Sequence, residues 1–152
     1  MWNPEITEEV NDEFIESCES GDLLKIKKLL KATKNRPKAE INYNNNQGFV
    51  LACGCGHLEV VRYLLEEKNK KEEIKLHDYD DAAFKVAADY SNMNILQYFI
   101  FDRKIEKTEE IKKHLEKLNK HEIENLFTLR ELNANLENDL QNNQISIRKN
   151  KI

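Results

Sequence analysis

A displacement of 35 residues brings this chain into register with itself twice over. Phe14, Phe49 and Phe84 coincide under it, as do Cys18, Cys53 and Ala88; Ile26, Val61 and Leu96; Leu29, Leu64 and Phe99; and Leu30, Leu65 and Ile100. Gly21 and Gly56 match, with Ser91 third, and no insertion interrupts the three copies. Each copy of such a period buries its apolar face only against its neighbours, so the chain must fold as a stack of units.

Each copy divides into two helices. Asn11, Asn46 or Asp81 precedes the shared Phe by three residues. A short Asx side chain accepts hydrogen bonds from the free amides of a first turn, so these residues are expected to mark helix starts. The first helix then carries Phe49, Ala52 and Cys53 at i, i+3 and i+4, with Ser17–Cys18 and Ala87–Ala88 at the matching small positions. A glycine or small residue ends it. The second helix sets Leu58, Val61, Leu64 and Leu65 on one stripe, and the polar runs Ile41–Asn45 and Leu76–Asp80 suit tight turns. In the first copy the helix is expected to start early, capped by Thr7, with Ile6, Val10 and Phe14 on one face and Trp2 over the open end of the stack.

The middle copy, Gly48-Phe49-Val50-Leu51-Ala52-Cys53-Gly54-Cys55-Gly56-His57-Leu58-Glu59-Val60-Val61-Arg62-Tyr63-Leu64-Leu65, resembles the ankyrin-repeat family. Gly56-His57-Leu58-Glu59-Val60-Val61 followed by Leu64-Leu65 is the most recognisable part. The resemblance covers roughly residues 11–102. It departs where the family's Thr-Pro-Leu-His opening is replaced by Gln47-Gly48-Phe49-Val50 and by Ala82-Ala83-Phe84-Lys85. The resemblance implies an all-α ankyrin-repeat solenoid of three helix-pair repeats occupying residues 1–104. The Asn-rich, Phe-bearing style is similar to ankyrin proteins of phages, giant viruses and amoebal microbes. That style implies a factor that binds and blocks a host protein.

All four glycines and both prolines lie before residue 60. The remainder is expected to be a helical extension over 105–142, or a helical cap whose two helices cover the third repeat, followed by a disordered tail at 143–152. Thr108 before Glu109 and Glu110 reads as a helix cap, with Ile111, Leu115 and Leu118 behind it. A second helix is expected from His121 to Gln141. Its Leu129, Leu132 and Leu136 fit a heptad seam that Asp139 breaks, which leaves open self-association through this helix.

Composition excludes several functions. With 24 basic and 28 acidic residues the net charge is −4, a poor match to nucleic acid. No apolar run is long enough to span a bilayer, and the first residues carry no secretory pattern. Three cysteines without framework spacing suggest free thiols in a reducing compartment, the cytosol of a cell or of an infected host. Cys53-Gly54-Cys55-Gly56-His57 looks like a metal cluster, but the register gives Cys53 a buried small-residue slot and His57 a turn position, with no second ligand pair nearby. His77, His114 and His121 have no nucleophile beside them, and no phosphate-cradling glycine loop occurs. The run Lys68-Asn69-Lys70-Lys71 and the pairs Glu66-Glu67 and Glu72-Glu73 read as solvated charge. No catalytic residue, metal or cofactor is expected.

The resemblance also says where binding would sit: hairpin tips and the exposed side of the first helices. Here these are Tyr43, Asn44, Asn45, Tyr79 and Asp80 at the tips, and Val50, Lys85 and Asp89 on the helices. The acidic bias of Asp78, Asp80, Asp81 and Asp89 suggests a partner protein with basic groups. Two functions follow: a non-enzymatic protein-binding module, or a structural protein that homo-oligomerises through Leu129, Leu132 and Leu136. The tyrosines have a simpler alternative use, covering the hairpin stack.

Overall fold

A computed structural model describes residues 4–66 and 74–149. The expectations for Trp2, for the Lys68–Lys71 run and for Glu72-Glu73 fall outside the described residues. Helices α1 (Pro4–Ser20), α3 (Tyr43–Gly54), α5 (Asp78–Asp89) and α7 (Glu109–Leu118) stack in one layer. Helices α2 (Leu23–Leu29), α4 (Leu58–Glu66), α6 (Met93–Gln97) and α8 (His121–Lys149) back them, each against its partner in sequence. A π-helical turn, Tyr98–Asp102, prolongs α6. Among the described residues there is no strand; the only bridge is Thr33 to Arg36. The fold is an all-α solenoid.

The period decides what is buried. Phe14, Phe49 and Phe84 are all enclosed, as are Cys18, Cys53 and Ala88 one turn later. Small side chains there let adjacent helices of the layer approach. Two of these rings reach the backing helix of the next unit: Phe49 meets Phe99 at 6.3 Å between ring centroids, and Phe84 meets Phe127 at 5.9 Å. Such tilted pairs favour edge-to-face contact beyond simple burial.

That second pair identifies α7 and α8 as a fourth unit on a shorter period. A shift of 28 carries Ala83 to Ile111, Ala87 to Leu115, Ile95 to Ile123 and Phe99 to Phe127, and all eight are buried. The same shift carries Phe84, Ala88 and Ile100 to Lys112, Glu116 and Thr128, which are exposed. The lost apolar positions are those a further unit would have covered, so the stack ends here. At the other end α1 carries seven carboxylates and no basic residue. Glu13 stands where Gly48 packs on Phe14 and Cys18, and its half-buried carboxylate meets Lys25 Nζ at 3.0 Å.

Three expectations are corrected. Helix α1 begins at Pro4, so Thr7 lies inside it and not at its N-terminal boundary. Asn11, Asn46 and Asp81 do not cap their own helices, and their side chains turn to the unit ahead. Helix α8 runs to Lys149, past the expected end at Gln141. With no Gly or Pro to stop it, a nucleated helix extends at little cost per residue.

Candidate functional site

The first turns of the α3 and α5 spans carry the most unusual backbone among the described residues. Asn44, Asn45 and Asn46 have φ of 48°, 61° and 60°, and Tyr79, Asp80 and Asp81 have 53°, 56° and 59°. Each set forms one left-handed turn that feeds directly into the right-handed helix. Asn and Asp tolerate this region because their short polar side chains bond locally; a bulky residue such as Tyr is an outlier there. The sequence signalled a turn at both places, but Asx composition does not report its hand.

The third residue of each turn, and Asn11 at the matching position within α1, point inward. The Asn11 side-chain oxygen accepts from the Glu40 amide at 2.8 Å; the Asn46 amide donates to the Asp78 carboxylate at 3.2 Å; and Thr108 Oγ1 donates to Asp81 Oδ2 at 2.6 Å. All three Asx residues are buried. They link successive units at the place where the departed Thr-Pro-Leu-His opening left no side chain to do so. His77 Nδ1 meets the other oxygen of Asp81 at 2.5 Å, and Thr108 accepts from the Ile111 amide at 3.1 Å as the expected cap of α7. Asp81 is therefore part of the frame, not of an exposed acidic surface. Asp78 accepts from Asn46 and from the Lys75 amide, and Asp89 accepts from His114 at 2.9 Å. Of the four aspartates, Asp80 and Asp89 are exposed, Asp78 is half-buried and Asp81 is buried.

A second ladder runs along the far ends of the same helices. His57 Nε2 donates to the Glu19 carbonyl at 2.8 Å, and Asn92, its counterpart, donates to the Cys53 and Gly54 carbonyls at 2.8 Å each. Lys120, the counterpart under the shift of 28, donates to Ser91 Oγ at 2.6 Å. The His57 ring lies over Gly21, where a Cβ would sit 2.6 Å from Nδ1, and Gly21 itself has φ 76°. Both facts require glycine. His57 is thus a structural link, and its cysteine neighbours are dispersed. Cys53 is buried, and burial first, then Cys18, pushes its thiol well above the ordinary range; Cys18 is pushed up by burial to about 12. Cys55 is exposed. Among the described residues no three His, Cys, Asp or Glu side chains converge on a metal position.

The expected binding residues fall into two groups. Asn44, Asn45, Tyr79 and Asp80 are exposed on consecutive turns, and Tyr79 is half-exposed at 50%. Tyr43 is half-buried in a shallow cleft with Pro4, Thr7, Glu8, Asn11 and Glu40. Partial burial and then the carboxylates of Asp12, Glu8 and Glu40 raise its phenol above the usual range. Val50 and Lys85 are half-buried further along the layer, and Lys85 shares a second cleft with Glu110, Lys113, His114 and Lys117. Sequence reasoning missed the carboxylate row of α1, where Glu5, Glu8, Glu9, Asp12, Glu13 and Glu16 line one open cleft. The signal was there, seven acids without a base in one helix. Leu129, Leu132 and Leu136 are exposed, together with Leu140.

A family model described as ankyrin repeats (3 copies) matches residues 14–111. Comparison with curated proteins and with solved structures gave no match.

Proposed function

Because this chain belongs to the ankyrin-repeat family, a family of protein–protein interaction modules, we propose that it works without catalysis, by holding another protein against its turn tips and the exposed side of its inner helices. Tyr79 carries this reading. Its left-handed backbone is disfavoured for a bulky residue by about 1–2 kcal/mol, yet half of the ring lies in solvent. A strained residue that gives little back to the core is a candidate for use outside it. Tyrosine suits that use, offering large contact area with few rotamers to freeze.

The partner bears basic groups. Support comes from Asp80 beside Tyr79 and from the α1 carboxylates around Tyr43. Such steering weakens as salt rises and its main effect is on association rate. The buried thiols Cys18 and Cys53 fit a reducing compartment, and the Asn-rich turns fit a virus- or phage-type factor that blocks a host protein. Among the described residues no helix is long and apolar enough to cross a membrane. Tyr43→Ala with Tyr79→Ala should reduce captured partner at least tenfold in a pull-down, which corresponds to about 1.4 kcal/mol. Undiminished capture would remove the turn tips from the interface.

A second reading has its own observation. The leucines of α8 lie in solvent over more than three turns, which supports a structural or assembly role through self-association of that helix.

A further inference from the structure

Helix α8 has two parts. Ile123 and Phe127 are buried on the stack, and Arg130 Nη1 anchors the helix there by donating to the Ile105 carbonyl at 2.6 Å. From Glu131 to Ile145 every residue is exposed. At 100° per residue Leu129, Leu132, Leu136 and Leu140 fall within one arc of about 80°, on the side of the helix away from Ile123 and Phe127. They are 48%, 55%, 60% and 62% exposed.

We infer that this leucine face is covered by the same face of a second copy of the chain, with the two α8 helices antiparallel; the inference rests on the assembly reading above. The stripe is close to symmetric about a point between Ala134 and Asn135. Reversing the second helix about that point sets Leu129 against the other copy's Leu140, and Leu132 beside its Leu136. Charge selects the direction. A parallel pair brings each Asp139 level with its own copy at the edge of the seam, whereas the antiparallel pair separates the two by about 13 Å along the axis. Direction also separates the bulk. The antiparallel pair holds the two repeat stacks at opposite ends, while a parallel pair crowds both against one end.

The covered surface is on the order of 1,000 Å² over both chains, at the lower bound for a specific interface. The dimer is therefore weak and concentration-dependent, and it presents two binding faces, so that a multivalent partner is held more tightly than by one.

Sedimentation equilibrium of the full chain, from roughly 1 µM to 1 mM, tests the assembly. The weight-average mass should climb from 17.9 kDa toward twice that value. Leu132→Glu with Leu136→Glu should stay monomeric with its helical circular dichroism unchanged. Spin labels on Asn143→Cys, in a Cys55→Ser background, test direction by pulsed dipolar spectroscopy. Asn143 lies about 13 Å past the midpoint, so antiparallel helices hold the labels about 25 Å apart along the axis, and parallel helices hold them at about 10 Å. A monomer throughout overturns both the assembly reading and the antiparallel pair. A dimer with the short separation keeps the assembly and overturns the direction. A dimer indifferent to the two glutamates moves the interface off α8.

Discussion

Tyr79 and Asn44 occupy the same place in successive units, both in left-handed backbone, and only one is a residue that tolerates it. Asparagine at 79 relieves the strain and keeps the turn. Tyr79→Asn should therefore stabilise the fold by about 1 kcal/mol, read as a higher urea midpoint at unchanged slope. The buried thiols set a second limit. The folded chain holds the Cys18 proton to about 12, against an ordinary 9.0, while the unfolded chain releases it near the ordinary value. This contribution is intact below about 9 and is lost as pH rises through about 12, by up to ~4 kcal/mol. Chemical denaturation across that range should show a shallower loss for Cys18→Ala, and alanine already fills the matching slot at Ala88. A loss of equal steepness in the variant would assign alkaline unfolding to other groups.

Among elements, the least expected contact joins α5 to α7 through Asp81 and Thr108. Asp81→Ala leaves Thr108 and His77 without their buried acceptor. It should cost about 1–3 kcal/mol, and hydrogen exchange should quicken first in α7, where Thr108 also caps the helix. Exchange that quickened in α1 instead would contradict the link. The sequence carried much of this architecture. Phe14, Phe49 and Phe84 and the small pairs behind them are legible because burial recurs at a fixed interval. The fourth unit was hidden by its own interval: Phe99 and Phe127 differ by 28, so a search at 35 passes over them. Asn11, Asn46 and Asp81 were legible as a set but not as inter-unit links, because a side chain's reach across a stack depends on a backbone hand that composition does not encode. Tyr43 and the two turn tips are legible only through the resemblance, and the strain at Tyr79 emerges only with the dihedral angles.

At the scale of the molecule, the stack is closed by polarity at both ends, with Glu13 at one and Lys112, Glu116 and Thr128 at the other. Removing residues from 105 onward would uncover Phe84, Ala88 and Ile100 and take away the acceptor's partner at Asp81. Such a truncation should lose cooperative unfolding and bind hydrophobic dyes, whereas ending the chain at Glu131 should leave the stack intact. The proposed binding role builds on the same frame: the two ladders of side chains use His57, Asn92, Asp81 and Lys120 for structure, and Asn44, Asn45, Tyr79 and Asp80 are exposed beside them. The most direct measurement is quantitative capture of partners by the chain and by Tyr79→Asn side by side. The variant, at least as stable as the parent, should lose the captured protein roughly tenfold or more. Equal capture by a stabilised variant would contradict the binding role.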